Sequence, residues 1–239
     1  MAIAHAETQT GTAGAGATSV ATASLGAGGS DSLYVCFVAT RSNVDVTSVT
    51  GIGLTWTVQD EQCAARAQQR IECWTAYGAG SSGAVTASFA SCNGSVISVG
   101  RYTGVDSTTP VPTIASYNTL GADGACSGGT DNDDATGSIT TANGNNLVVA
   151  GFDTRNRTMT DTSGWNVRAA DIAGGTGGDL TTMSVEDRIF ALPGATTMGG
   201  ANNLSGTADW CLIGAEAKEA VAAPSGPPAN SLMMTGGGV

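Results

Sequence analysis

Residues 145–155, NNLVVAGFDTR, repeat with edits residues 31–41, DSLYVCFVATR. Leu33, Val35, Thr40 and Arg41 of the first copy match Leu147, Val149, Thr154 and Arg155 of the second, at a constant spacing of 114 residues. The spacing returns downstream, where GSVISVGRY (94–102) aligns with GTADWCLIGAE (206–216), so that Gly100 meets Gly214 and Val99 meets Ile213. Each copy also carries a Trp after its first matched run, Trp56 in GLTWTV and Trp165 in SGWNVRA, 109 residues apart as loops of unequal length would give. Two anchors at one spacing with a Trp between them describe one unit written twice, and the repeat governs the fold before any search for a site.

With 35 Gly, 12% charged residues and only four each of Phe, Tyr and Trp in 239 residues, the chain lacks the long charged side chains of exposed helices. Its Thr, Val and Gly suit short strands joined by turns. Strands are expected at 18–25 and 32–40, around Trp56 and Val58, around Ile71 and Trp74, and in AVTASFAS and SVISVGRYTGV. The second half repeats the order with SITTA, NLVVAGFDT, GWNVRAAD, TTMSVEDRIFAL, ATTMGG and DWCLIGAEAK. Short strands without a helical period indicate an all-β sandwich. Residues 1–17 have little to bury and read as an N-terminal arm, 106–137 as a polar crossover, and 220–239 as a C-terminal tail. A half of about 85 residues, lean in aromatics, buries little area alone. The halves, 18–105 and 138–219, are therefore expected to interleave in one jelly-roll-like antiparallel β-sandwich spanning 18–219.

Nine basic residues against twenty acidic give a formal charge of −11, and no stretch gathers Lys or Arg into a patch. Nucleic-acid binding needs clustered cations to neutralise phosphates, so no nucleic-acid partner is expected. No apolar run is long enough for a membrane span, and the N-terminus lacks the basic and continuous apolar regions of a secretory signal, which points to synthesis in a cytoplasm and no membrane partner. The cysteines at 36, 63, 73, 92, 126 and 211 contain no CxxC, and His5 is the only histidine, which argues against zinc. Cys36 and Cys211 sit in apolar strands, as small hydrophobes would. Cys63 and Cys73 flank AARAQQRIE and would face each other across a hairpin, while Cys92 and Cys126 lie in Gly/Ser-rich loops that could meet; both pairs are candidate disulfides.

Candidate chemistry is sparse. A Ser-His-Asp or Cys-His arrangement would have to use His5, which lies in the expected arm. Asp60, Glu61 and Glu72 could approach as a glycosidase pair, yet they read better as strand-edge charges that deter edge pairing. In DGACSGGTDNDDATG, Asp123, Asp131, Asp133 and Asp134 offer oxygens to calcium, but the run lacks an EF-hand's length and terminal Glu, so a solvated crossover is the better reading. No phosphate-binding loop is present and no cofactor is expected. Trp56, Trp74, Trp165 and Trp210 could form a sugar platform, although evenly spaced Trp in paired half-sandwiches belong more often to the core.

The order SLYVCFVATR, GLTWTV, IECWTAYG, AVTASFA, SVISVGRYTGVDSTTPV, then NNLVVAGFDTR, SGWNVRA and ADWCLIGAEAK, resembles a jelly-roll β-sandwich module found in tailed-phage virion proteins and in some bacterial surface proteins. RYTGVDSTTPV (101–111) is similar to that family's Tyr/Phe-x-Gly-Val-Asp-x-Thr-x-Pro at the junction of its halves. The resemblance covers about residues 18–219 and implies a structural or adhesive role, with no catalytic residues to carry over. It leads to the expectation of a virion structural protein: a capsid decoration or head-fibre protein, or a tail or tail-fibre component, and not an enzyme. Its partners would be a major capsid or tail protein and copies of itself in a homo-oligomer, with Leu232, Met233 and Met234 as assembly contacts. The alternative is a carbohydrate-binding or adhesive module with a glycan partner.

Overall fold

The computed structural model of the chain describes residues 2–221. In it the two matched stretches become strands buried on both faces, from Leu33 to Thr40 and from Asn146 to Thr154. A strand with one solvated face alternates apolar and polar residues, whereas one covered on both sides reads as a continuous apolar run. LYVCFVA and LVVAGF are runs of the second kind, and a stack of four layers accommodates them.

The first half forms β1 (Ala4–Ala13), β2 (Ala17–Ala21), β3 (Leu33–Arg41), β4 (Val46–Gly51), β5 (Thr57–Cys63), β6 (Gln69–Tyr77), β7 (Val85–Cys92) and β8 (Ser95–Thr103). The second forms β9 (Thr113–Asn118), β10 (Gly121–Ala122), β11 (Thr136–Thr141), β12 (Asn146–Arg155), β13 (Asn166–Gly174), β14 (Thr181–Phe190), β15 (Gly194–Gly199) and β16 (Trp210–Ala217). Four antiparallel sheets result, in the orders β2-β7-β4, β1-β8-β3-β6-β5, β10-β9-β16-β12-β14-β13 and β11-β15. The all-β antiparallel sandwich expected from the sequence is present.

The expected interleaving of halves is not. Among the described residues each sheet draws its strands from one half only. Tyr34, Val38 and Val99 of the five-stranded sheet pack on Val20, Val49, Val85 and Phe89 of the three-stranded one. Val148, Phe152 and Leu212 of the six-stranded sheet pack on Ile139 and Met198 of the two-stranded one. A third core lies between the two large sheets, where Leu33, Val35, Phe37, Ile71 and Tyr102 meet Leu147, Val149, Met183, Val185 and Ile213. Each half thus compensates for its modest core by burying the second face of its large sheet, without exchanging strands.

The two sheet orders correspond strand for strand: β1 with β9, β3 with β12, β5 with β13, β6 with β14 and β8 with β16. Across the central interface β1 contacts β13 while β5 contacts β9, and β6 contacts β16 while β8 contacts β14. These are reciprocal pairs, the pattern of an isologous dimer contact, here within one chain. Where β3 crosses β12, equivalent residues meet, and two large side chains could not share that space. Phe37 and its repeat partner Gly151 solve the problem: a Cβ on Gly151 would lie 2.6 Å from the Phe37 ring. Gly151 has no positive φ, so the glycine is there for space and not for backbone freedom.

Pairing also corrects the second sequence anchor. Leu33 pairs with Tyr102, and its repeat partner Leu147 pairs with Ala217, so β8 and β16 correspond at 115 residues, not 114. The difference matters because a one-residue slip moves every side chain to the opposite face. With the spacing of 115, Val96 and Cys211 both face the central core, while Ile97 and Leu212 both face their own half's core.

Residues 1–17, expected as a free arm, instead supply β1, whose backbone pairs with β8 from Ala4 to Ala13. AHAETQTGTA has few apolar residues because it is an edge strand held by its ladder, by Ile3 in the central core and by a Glu7–Arg101 ion pair at 2.8 Å. Gly11 is required there, since a Cβ would lie 1.8 Å from the Ala21 carbonyl oxygen. The expected crossover likewise holds β9 and β10, the second half beginning at Thr113 and not at 138. RYTGVDSTTPV forms the link between halves: Asp106 accepts the N–H groups of Thr108 and Thr109 at 2.9 and 2.8 Å and pairs with Lys218 at 3.5 Å. The tail contacts expected at Leu232, Met233 and Met234 lie outside the described residues.

Overpacking a filled core costs about 1–3 kcal/mol, and emptying a Phe site about 3–5 kcal/mol. Gly151→Ala is therefore expected to lower unfolding free energy by about 1–3 kcal/mol in urea titrations, and Phe37→Leu with Gly151→Ala to lose less than the two single changes added together.

Candidate functional site

A cleft of about 460 Å³ lies in the second half between the β12–β13 connection and β15. The connection begins as a partner strand: Met159 bridges Leu204 and Thr160 N–H donates to Asn203 O at 2.7 Å. It then turns at Thr162–Trp165 without a backbone ladder to β15, and Trp165 N–H donates to Thr162 O at 3.0 Å. The Trp165 indole enters the half's own core, edge-on to Phe190 at 5.8 Å, and Arg188 lies over Phe190 at 5.1 Å. The cleft is lined by Asp161, Thr162, Trp165, Arg188, Thr197 and Asn202, among others. Beneath it, buried Glu186 accepts the Thr162 N–H at 2.8 Å, and burial pushes its carboxyl up from the usual range. This is a hydrogen-bonding surface with one carboxylate, one guanidinium and many hydroxyls, suited to holding a polar or extended ligand.

A second, smaller pocket of about 320 Å³ contains Asp60, Glu61, Arg70, Ser116 and Asp123. Here the acidic hairpin is organised by Arg70, which pairs with Glu61, with Glu72 at 3.0 Å and with Asp45 at 3.2 Å. Glu72 is buried, and it also accepts Val46 N–H at 2.8 Å and Trp74 Nε1–H at 3.0 Å. Glu61 and Glu72 thus share one cation and tie β6 to β4 and β5, leaving neither as an isolated acid beside a free carboxylate, as glycoside hydrolysis needs. Burial raises the Asp60 carboxyl, opposed by its hydrogen bond from Glu61 N–H.

The turn AARAQ between β5 and β6 is gripped by the second half. Asp209 accepts the N–H groups of Arg66 and Gln68 at 3.1 and 3.2 Å. Asp131, considered for calcium, lies between Arg66 at 2.9 Å and Arg155 at 3.1 Å, and Asp134 accepts Asn202 N–H at 2.7 Å. Among the described residues no three His, Cys, Asp or Glu side chains come together as a metal site, so Asp131, Asp133 and Asp134 are not brought together as ligands. Deeper in, fully buried Asp153 accepts from Thr181 Oγ1 at 2.6 Å and Gln69 Nε2 at 3.2 Å. Its carboxyl is raised well above the usual range by burial, with Thr181 and the Arg41 charge pulling it down and Asp209 pushing it further up.

The disulfide differs from both expectations: Cys63 bonds to Cys126, with Cα atoms 5.4 Å apart. The β5–β6 hairpin is tighter than assumed, so Cys63 lies opposite Arg70 while Cys73 lies opposite Asp60 and points into the central core. Cys92 ends β7, buried in the first half's own core. Cys36, Cys73, Cys92 and Cys211 are free and buried, and burial raises all four thiols. All four Trp belong to packing: Trp56 and Trp74 to the first half's core, Trp165 and Trp210 to the second's. His5 sits on β1, its Nε2 2.8 Å from Thr8 Oγ1 and its ring edge-on to Tyr102; burial lowers its pKa, with Arg168 acting the same way. No helix among the described residues is long and apolar enough to cross a membrane.

Sequence reading missed the cleft. Set on their Trp residues, DVTSVTGIGLTW (45–56) has Val46, Val49 and Ile52 where TRNRTMTDTSGW (154–165) has Met159 as its one apolar residue before the Trp. That loss of apolar residues, visible in the sequence, marks where a strand of the repeat is absent. Comparison with family models, curated proteins and solved structures finds no match for this chain.

For an acid with a raised native pKa, the folded state holds more protons than the unfolded one above about pH 4, so stability falls as pH rises toward the native value, by up to about 1.4 kcal/mol per unit. Asp153→Asn keeps both acceptor contacts and is expected to flatten that decline in urea titrations between pH 4 and 8. Reducing Cys63–Cys126, which closes a separation of 63 residues, is expected to cost about 4 kcal/mol and to lower the melting temperature by about 10 °C in calorimetry.

Proposed function

We propose that the chain is a non-catalytic structural subunit of a tailed-phage particle, serving as a capsid decoration or head-fibre protein, with a tail or fibre position as the nearest variant. The observation that carries the reading is the stack of four sheets joined by a disulfide between the halves. Such a body presents acidic loops and charged edges outward and commits its Trp, its buried carboxylates and its free thiols to packing. The similarity of RYTGVDSTTPV to the junction of a virion module adds the particle context. In this role the protein binds and does not turn over substrate. The net charge of −11 limits clumping of decorated particles.

The second reading, a glycan-binding module, is favoured by the hydroxyl-rich cleft with Asp161, Arg188 and Asn202. Against it, Trp165 is 9% exposed and offers little ring face for a pyranose to stack on. A glycan array with saturable binding lost in Asp161→Ala would favour that reading over the first.

Deleting residues 222–239, which carry Leu232, Met233 and Met234, is expected to lower occupancy on purified particles at least tenfold while leaving the melting temperature unchanged. Unchanged occupancy would contradict the assembly role.

A further inference from the structure

We propose that the open edge of β15 is an acceptor slot for an extended strand, and that its occupant is the C-terminal segment 231–236 of a second copy of this chain. The proposal deepens the assembly reading and rests on it.

The repeat itself defines the slot. In the first half β7 is flanked on both sides, by β2 and by β4. In the second, among the described residues, β15 pairs with β11 alone. The chain comes alongside only beyond the end of β15, at the Met159–Leu204 bridge, and then turns away, and the cleft of about 460 Å³ opens where β4 lies in the other half. Hydrogen-bond directions alternate along a strand. Gly194 N–H donates toward β11, to Thr141 Oγ1 at 3.1 Å, and Gly199 N–H donates away from it, to Thr162 Oγ1 at 3.1 Å. By that alternation the N–H groups of Ala195 and Thr197 face the open edge, and both residues are exposed. An exposed edge of this kind is a template for strand addition, in which backbone bonds give affinity and side-chain pockets give specificity.

Two features point to the occupant. β4, VTSVTG, fills the equivalent edge with Val46 and Val49 buried, Thr50 exposed, and Gly51 at its end. The chain contains one further segment with an apolar-Thr-Gly ending outside the described body: SLMMTG, residues 231–236. Nine residues separate it from Val221, a reach of roughly 33 Å when extended. The chain leaves the body at the link between halves, where Ala220 N–H donates to Gly104 O and Val105 bridges Glu219, whereas the slot opens on the outermost layer. The intervening sequence carries Pro224, Pro227 and Pro228, and Pro-rich linkers act as semi-rigid spacers, which argues for a neighbour's slot over the chain's own.

The test uses the full chain in sedimentation velocity across a hundredfold concentration range. Wild type is expected to self-associate with concentration, and a synthetic peptide of residues 229–239 to dissociate the assembly. Thr197→Pro removes an outward N–H without touching the β11 ladder and is expected to weaken association at least tenfold, as is Met234→Asp, which falls outside the described residues and decides the matter if the proline variant does not fold. Self-association in both variants equal to wild type would overturn the proposal. So would a monomer at every concentration, including one whose Ala195 and Thr197 amides exchange slowly, since that places the chain's own tail in the slot. A wild-type chain that attaches to particles but stays monomeric sinks the slot and leaves the virion reading standing; one that self-associates but does not attach does the reverse.

Discussion

Burial of the two large sheets against each other holds the rest of the structure in place. Leu33, Phe37, Ile71, Leu147, Met183 and Ile213 all lose solvent in that contact. Fully burying one such side chain contributes about 1.5–3 kcal/mol, so two or three of them rival the net stability of a whole domain. Because reciprocal strand pairs make the contact, a residue at the crossing of β3 and β12 meets its own repeat partner. Phe37 against Gly151 is the asymmetric answer: one half supplies the ring and the other the space for it. The two copies are thus no longer interchangeable at the point where they touch most closely.

This arrangement explains what could be read in the sequence and what could not. β3 and β12 were legible because strands covered on both faces become unbroken apolar runs. β1 was not, because an edge strand held by backbone bonds needs few apolar side chains and its Thr and Gln look like a tether. β9 was hidden for the same reason inside a long polar stretch. The second repeat anchor erred by one residue, since Gly100 and Gly214 match as letters while facing opposite layers. The disulfide was beyond reach: its partner cysteine was present in the sequence, but pairing Cys63 with Cys126 depends on how the halves stack. The cleft was half legible, through the missing apolar residues before Trp165, although only the structure shows the open edge beside it.

The polar groups at the central contact follow the same logic. Turning AARAQ over onto the second half leaves N–H groups without partners in their own hairpin, and Asp209 accepts two of them. Arg155 reaches Gln68 and Asp131, so the charges of the contact are mutually neutralised at its rim while Asp153 is sealed inside. A carboxyl so placed favours its neutral form, and the hydroxyl of Thr181 and amide of Gln69 fix its orientation. Register between the halves is therefore specified by directional bonds as well as by shape.

The bridge from Cys63 to Cys126 has a mechanical meaning too. A pull applied between the ends of the chain is carried through the sulfur atoms, bypassing everything from β6 to β10. That stretch cannot be unravelled by tension while the bond is intact, and the extensible contour is shorter by roughly 200 Å for its 63-residue separation. A molecule tethered by its termini to something under shear would yield first at β1 or at the strands after Cys126, with β6, β7 and β8 locked inside the loop.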